Sequence, residues 1–215
     1  MESAEAVRLR AGAEKMGCAL SQAQAEQLIA YLSLLAKWNR VYNLTAVRDP
    51  AEMLTQHLLD SLSIVPLLQR RTGGQAARLL DVGSGGGLPG VVVAVVMPQL
   101  DVTCVDTVIK KVSFIRQVAL ELRLANLHAV HARVEDMIAP GFDAVVSRAF
   151  ASLADFVALT RRHLGPDGVW LAMKGKRPDD EIAVLPSGID VFHVEHLAVP
   201  GLAAERCAVW MQPSR

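Results

Sequence analysis

The sequence predicts an α/β fold of the Rossmann-like type, with a mostly parallel sheet, helices on both of its faces and a helical extension in front. From residue 77 onward, short apolar strands alternate with helical segments, and a glycine-rich loop follows the first strand. Residues 1–75 instead carry apolar residues at steps of three and four, with little strand signal. We therefore expect a helical extension over 1–75 and a cofactor-binding domain over 76–215.

Two helices are marked in the extension. Ser21 and Gln24 have the spacing of a capping box, and apolar residues then recur at helical steps through Ala36. Asp49 and Pro50 begin another helix, which carries Met53, His57, Leu58 and Leu62. The segment 72–75, Thr-Gly-Gly-Gln, is the expected linker.

The remaining segments predict the order of a doubly wound sheet. Strands are expected over 79–82, 101–105, 127–130, 142–146 and 169–173, and two more over 191–197 and 207–211. Helices are expected over 110–122 and 152–163, and the segment 165–168, Gly-Pro-Asp-Gly, is the expected turn before the fifth strand.

The loop after the first strand is typical of a nucleotide-cofactor site. Gly83, Ser84 and Gly85 open a run whose glycines permit a tight turn and a close approach of backbone N–H groups to a ligand. Leu88 and Pro89 fit a helix start with proline in the first helical position, and a helix N-terminus of this kind can bind an anion.

Two cofactor classes fit this loop. The run 85–90 satisfies the dinucleotide pattern G-x-G-x-x-G, and the run 83–87 satisfies the G-x-G-x-G of S-adenosylmethionine methyltransferases. Asp81 lies two residues before the first glycine, which favours the methyltransferase register. Asp106 ends the next strand, where an acid can bind both ribose hydroxyls of either cofactor. An NAD(P)-dependent oxidoreductase and a noncatalytic nucleotide sensor stay open as alternatives.

Composition excludes several classes of protein. The chain has 22 basic and 22 acidic side chains in 215 residues, so any RNA contact must be a local patch. Cys18, Cys104 and Cys207 are scattered without a CxxC motif, which is typical of free thiols in a reducing cytosol. The charged N-terminus does not resemble a signal peptide, and no apolar run reaches transmembrane length. We expect a cytoplasmic protein with no membrane partner and no metal site.

Six sequence motifs together resemble one family, the bacterial small-subunit rRNA guanine-N-7 methyltransferases, also called glucose-inhibited division protein B. The motifs are LAKWNRVYNLTAVRDP (35–50), HLLDSL (57–62), DVGSGGGLPG (81–90), FIRQV (114–118), SRAFASL (147–153), and KG (174–175) with PDDEI (178–182). The family usually has threonine in place of Ser84 and proline in place of Gly86, two mild departures.

The resemblance implies a class I methyltransferase fold and transfer of methyl from S-adenosylmethionine to N-7 of guanine 527 in the decoding region of 16S rRNA, leaving S-adenosylhomocysteine. The expected partner is 16S rRNA within the 30S subunit or a late precursor. The enzyme is expected to be a monomer. Asp81 is expected to orient loop amides rather than to touch ligand. By the same resemblance the cofactor residues are Gly83, Leu88, Asp106, Val134, Glu135 and Arg148, with Ser84 and Gly85 in the same loop.

The end of the fourth strand carries the expected chemistry. It lacks the Asp/Asn-Pro-Pro-aromatic motif of amino methylation and the cysteine nucleophile of cytosine carbon-five methylation. Guanine N-7 has a lone pair and no proton, so its attack on a methyl group needs geometry and charge placement, not a general base. Arg148 is therefore expected as the catalytic positioning residue, holding cofactor, guanine carbonyl or phosphate.

RNA contacts are expected from two groups of residues. Lys174, Lys176 and Arg177 follow the fifth strand on the ligand side of the sheet, and Phe150 is a candidate for stacking on the base, with core packing as its alternative. The extension adds Lys37, Arg40 and Asn43 around two aromatic residues, Trp38 and Tyr42, which can equally pack the two regions together.

Overall fold

The structure is a computed structural model that describes residues 2–138, 141–148, 150 and 152–214. Within those residues, seven strands form one sheet in the order β3-β2-β1-β4-β5-β7-β6. The strands are β1 (Ala77–Val82), β2 (Leu100–Asp106), β3 (Leu127–His131), β4 (Phe142–Ser147), β5 (Leu164–Lys174), β6 (Ile189–His196) and β7 (Cys207–Pro213). The first five run parallel, whereas β7 is antiparallel to both β5 and β6. The predicted fold class is confirmed.

Capping residues set the ends of two of the helices of the extension. They are α1 (Ala4–Glu14), α2 (Gln22–Tyr42), α3 (Pro50–Met53), α4 (Asp60–Leu62) and α5 (Val65–Thr72), with a π-helical turn, Leu54–Leu59, between α3 and α4. The capping box of Ser21 and Gln24 is present at the start of α2. Asn43 ends α2 and Gly73 ends α5, both in the left-handed conformation. The predicted linker therefore begins at Gly73.

The sheet is flanked by α6 (Gly90–Val96), α7 (Ile109–Glu121), α8 (Leu153–Thr160) and α9 (Asp179–Ala183). The expected helix over 152–163 ends as a 3₁₀ turn, Arg161–His163. The motif residues Ala149 and Ala151 lie outside the described residues.

The expected turn at 165–168 is wrong as a separate element. Strand β5 runs through this segment, and its register with β4 shifts from the pair Phe142–Leu164 to the pair Ala144–Val169. The extra residues of β5 bulge out between these two pairs. Gly168 permits the bulge, because a Cβ atom there would lie 2.6 Å from the Phe142 carbonyl oxygen.

The core consists of two apolar clusters, one on each face of the sheet. The cluster that contains Leu79 of β1 also includes buried side chains of α1, α2 and the π-helical turn, so the extension and the sheet share it. The cluster that contains Leu80 packs beneath α8 on the opposite face. Trp38 contributes to the shared cluster, with ring centroids 5.3 Å from Tyr42 and 5.5 Å from Phe114 of α7. Trp38 and Tyr42 therefore pack against each other, and the contact of Trp38 with Phe114 joins α2 to the sheet domain.

Among the described residues, no helix combines the length and the apolar character needed to cross a membrane.

Candidate active site

Three adjoining cavities open at the carboxyl ends of the parallel strands, the edge at which α/β folds bind ligands. Gly83 and Lys111 line both the first and the second cavity, and His57 and Arg148 line both the second and the third. The first has a volume of about 390 Å³, the second about 290 Å³ and the third about 400 Å³. Together they form one cleft from β2 to β5.

The glycine-rich loop forms a wall of the first and second cavities. Gly83, Gly85 and Gly87 have φ angles of 69°, 58° and 90°, a region that residues with a side chain rarely adopt. The Gly83 N–H donates to the carbonyl oxygen of Val105 at 2.9 Å, which fixes the loop to the end of β2. Ser84, Gly85 and Leu88 line the second cavity.

The helix after the loop begins one residue later than expected. It starts at Gly90, and Pro89 is the residue preceding the first helical turn. The Gly90 N–H donates to Asp81 Oδ2 at 2.9 Å. The chain's own carboxylate therefore occupies the Gly90 N–H, one of the donors that the expected anion site at this helix N-terminus would use. The contact agrees with the expectation that Asp81 orients backbone amides.

Asp81 is fully buried, and burial raises the pKa of its carboxyl group to about 6 despite the hydrogen bonds from Gly90 and Ser84 that lower it. Within the described part of the chain, its Oδ1 atom has no hydrogen-bond partner. A Cβ atom on Gly90 would lie 2.8 Å from Oδ2 of Asp81 and 2.4 Å from Sγ of Cys104. Glycine is thus required here for close packing rather than for backbone freedom.

Asp106 lies between the loop and the first cavity, which it lines. Its Oδ2 atom accepts a hydrogen bond from the Gly85 N–H at 2.9 Å, and its Oδ1 atom accepts one from the Val108 N–H at 2.9 Å. Nζ of Lys111 lies 3.7 Å from Oδ2. These contacts orient the carboxylate, and each oxygen keeps a further lone pair for a ligand hydroxyl.

Val134, Glu135 and Phe150 line the opposite wall of the first cavity. The hydrogen bond from the backbone amide of Glu135 lowers the pKa of its carboxyl group, and so does the bond that Arg133 Nε donates to Glu135 Oε1 at 2.7 Å. Phe150 packs on Phe156 with ring centroids 5.2 Å apart. The Phe150 ring therefore lies beside core side chains at the first cavity, which favours core packing, the expected alternative to base stacking.

Arg148 reaches back from the end of β4 to the extension. Its Nη1 atom donates to the Gln56 carbonyl oxygen and to Asp60 Oδ2, both at 3.1 Å. Asp60 is 1% exposed, and its second oxygen accepts a hydrogen bond from Arg206 Nε at 2.8 Å. One buried carboxylate therefore holds two guanidinium groups at the third cavity.

His57 lies in the π-helical turn, where the second and third cavities meet. Its Nε2 atom is 2.9 Å from Thr45 Oγ1, and its Nδ1 atom is buried without a hydrogen-bond partner among the residues that the structure describes. Burial and the Arg148 charge lower the pKa of His57 to about 4, more than the Gln56 carbonyl and Asp60 raise it. The ring is therefore neutral at physiological pH.

Most of the residues expected to contact RNA lie outside the cleft. Lys174 lines the third cavity, where its Nζ atom is 2.9 Å from Glu181 Oε2. Arg177 is ion-paired with Asp179 at 2.6 Å. The other candidates, none of which lines any of the three cavities, are exposed: Lys37 and Arg40 on α2, Asn43 at its end, and Lys176 after β5.

The sequence reasoning did not single out Asp60, Arg206 or Gln56 as site residues. The pair His57 and Asp60 carried a usable signal, because two polar residues three positions apart in an apolar helix lie on one buried face. Arg206 carried no such signal. It becomes a neighbour of β5 only because β7 pairs antiparallel with that strand, Cys207 opposite Lys174.

Comparison with known proteins places the chain among RNA-modifying enzymes. The family model described as "rRNA small subunit methyltransferase G" matches residues 24–209. The chain is similar to the proteins named ribosomal RNA small subunit methyltransferase G of Acidovorax sp. (strain JS42), at 62% identity over 95% of this chain and 94% of that one, and of Methylibium petroleiphilum (strain ATCC BAA-1232 / LMG 22953 / PM1), at 62% identity over 94% and 92%.

Solved structures support the same fold. TrmN from Thermus thermophilus aligns with a TM-score of 0.58 at 18% identity over 74% of this chain and 53% of that one. A ribosomal protein L11 methylase from Lactobacillus delbrueckii subsp. bulgaricus aligns with a TM-score of 0.57 at 14% identity over 72% and 79%. With the family match, these findings establish that the chain belongs to the rRNA small subunit methyltransferase G family and is an S-adenosylmethionine-dependent rRNA methyltransferase.

Proposed function

We propose that this chain methylates N-7 of a single guanine of 16S rRNA, guanine 527, and that it does so as a monomer on the 30S subunit or a late precursor. The observation that carries the proposal is the continuity of the three cavities. They lead from Asp106, past the glycine loop, to a cavity lined by two arginines. A cofactor and a nucleobase can therefore meet inside one cleft.

The residues present fit the cofactor from end to end. Asp106 would accept hydrogen bonds from the ribose hydroxyls of the bound cofactor, and Val134 and Glu135, which line the same cavity, would flank the adenine. Gly83, Ser84, Gly85 and Leu88 line the second cavity and would hold the methionine portion there. When bound, S-adenosylmethionine supplies a sulfonium-activated methyl group.

The residues around the target base need to orient it and exclude water. Arg148 lines both the second and the third cavity, which supports a role for its guanidinium where guanine and cofactor would meet. Guanine N-7 carries no proton, so its methylation requires no general base. Two polar residues that line the cavities agree with this. His57 has a pKa of about 4, and both oxygens of Asp60 are occupied by arginines.

The net charge of zero supports a structured substrate. A protein without excess positive charge gains little from arbitrary RNA phosphates, so recognition depends on shape and on local contacts. The 30S subunit or a late precursor presents the decoding region in a preformed structure. For the same reason, binding to unrelated RNA is expected to be weak.

Methyl transfer from labelled S-adenosylmethionine tests the proposal on 30S particles lacking the modification, protein-free 16S rRNA and an unrelated RNA. We expect the 30S particle to be the best substrate and mass spectrometry of nuclease fragments to find one 7-methylguanosine. Particles already methylated at that guanine are the matched control and should accept no label. Comparable rates on all three RNAs, or a modified atom other than N-7, would contradict the proposal. Sedimentation of the free enzyme tests the monomer.

A further inference from the structure

We propose that the third cavity contains a binding site for an RNA phosphodiester, formed by Arg148 and Arg206 on the shared carboxylate of Asp60. This inference rests on the proposed function, because it assigns a recognition role to the same cleft. It adds Arg206 to the substrate-binding residues and gives Asp60 a positioning role.

The site is assembled from three distant parts of the chain. Asp60 follows the π-helical turn of the extension, Arg148 follows β4, and Arg206 precedes β7. Asp60 has one oxygen bonded to each arginine, at 3.1 Å and 2.8 Å. Because the carboxylate is almost completely buried, it holds both guanidinium groups in fixed positions.

The charge of this cluster is not balanced internally. Two guanidinium groups share one carboxylate, which leaves one positive charge in excess. Lys174 and Glu181 form an ion pair beside the cluster and add no net charge. The arginine side chains are 27% and 26% exposed, so the excess charge lies at the cavity surface. A single anionic group would neutralise it.

The donors of the two arginines favour phosphate over a single-point acceptor. Among the described residues, hydrogen bonds account for Nη1 of Arg148 and for Nε and Nη1 of Arg206. Each guanidinium therefore retains N–H groups for an external acceptor. Two planar donors on one side of a cavity match the several oxygens of a phosphodiester.

The position of the two arginines relates this phosphate to the reacting base. Arg148 lines both the second and the third cavity, whereas Arg206 lines the third alone. A phosphate held between them lies on the side of the target nucleotide away from the glycine loop. The base can then point toward the second cavity. Since the chain has no net charge, one such contact contributes a large share of the electrostatic binding.

Substitution of Arg206 tests the site, because this residue lies outside the expected cofactor contacts. Arg206→Gln should raise the KM for 30S particles by about tenfold and reduce the slope of log K for RNA binding against log salt by about 1. Affinity for S-adenosylmethionine should change less than about twofold. Arg206→Lys keeps the charge and should restore the salt slope. The matched control is Arg70→Gln, since Arg70 pairs with Glu195 at β6, outside the cleft.

Asp60→Asn provides a second readout for the positioning role. It retains both arginine charges but replaces one of the two carboxylate oxygens with an amide NH2 that cannot accept, so one arginine loses its anchor. KM should therefore rise, while the salt slope should not fall below that of the wild type. Thermal melting and cofactor binding check that each variant folds. An Arg206→Gln enzyme with wild-type KM and wild-type salt slope would overturn the inference. A wild-type enzyme that methylates another atom or nucleotide would refute the proposed function instead, and the salt slope would still test the phosphate site.

Discussion

The Tyr31 hydroxyl donates a hydrogen bond of 2.7 Å to the carbonyl oxygen of Gly86, and this bond joins helix α2 of the extension to the glycine-rich loop. Both residues are buried. Burial raises the pKa of Tyr31, so the hydroxyl keeps its proton and remains a donor. A Cβ atom on Gly86 would lie 3.0 Å from Leu35 Cδ1, which shows how closely α2 covers the loop. The extension therefore supports the loop directly.

Tyr31→Phe should lower the free energy of unfolding by about 1–2 kcal/mol, because the buried Gly86 carbonyl loses its partner. Affinity for S-adenosylmethionine should fall as well, since the loop is less well held. Tyr42→Phe is the matched control, as Tyr42 is 41% exposed. Denaturant melts and calorimetry measure both effects. Equal stability of the two variants would show that the bond contributes nothing.

Asp106→Ala should weaken S-adenosylmethionine binding by about tenfold or more, from an expected affinity of about 7–8 kcal/mol, through loss of charge-assisted hydrogen bonds to the ribose and of the Gly85 contact. Asp101→Ala is the control, because Asp101 lies near the start of the same strand and pairs with His128. Isothermal calorimetry is the measurement. Unchanged affinity in the Asp106 variant would remove this residue from the site.

Arg148→Ala should reduce the single-turnover methylation rate by roughly 10² to 10³ if the guanidinium steadies the cofactor or the guanine in the transition state, as we propose. Arg206 still pairs with Asp60 in this variant, so the buried carboxylate is not left alone. Arg148→Lys should recover only part of the rate, since the ammonium group of lysine cannot reproduce the planar set of N–H donors of a guanidinium. Rapid-quench assays with saturating 30S particles measure it. A loss below about threefold would argue against the positioning role.

The single-turnover rate should be nearly flat from about pH 6.5 to pH 8.5, because N-7 attack releases no proton. His57, with its pKa near 4, stays neutral throughout that range. The experiment is a pH series under single-turnover conditions for wild type and His57→Gln. A rising limb that disappears in the variant, or on replacing one carboxylate, would reveal a general base.

Asp81 predicts a pH dependence of stability. Its folded-state pKa of about 6 lies above the ordinary value of 3.8, so its contribution is fully present below about pH 3.8 and is lost as the pH rises through 6. The difference corresponds to about 3 kcal/mol. Relative to Asp81→Asn, which does not titrate, wild type should lose that stability between about pH 4 and pH 7. A constant difference across the series would show that Asp81 has an unshifted pKa.

The sequence by itself determined the parallel sheet, the glycine loop and the family. These features depend on local signals: apolar runs of strand length, glycines where φ is positive, and contiguous motifs. Family membership also removed the two alternatives that the glycine pattern left open, the oxidoreductase and the noncatalytic sensor.

Only the tertiary structure decided how the third cavity is built. Asp60 lies 88 residues from Arg148 and 146 residues from Arg206, and no spacing along the chain relates them. They meet because the sheet brings the end of β4 and the start of β7 to one edge, and because the extension packs over that edge. The helix start after the loop was decided in the same way. There the Gly90 N–H donates to the buried carboxylate of Asp81, a contact that forms only in the folded chain.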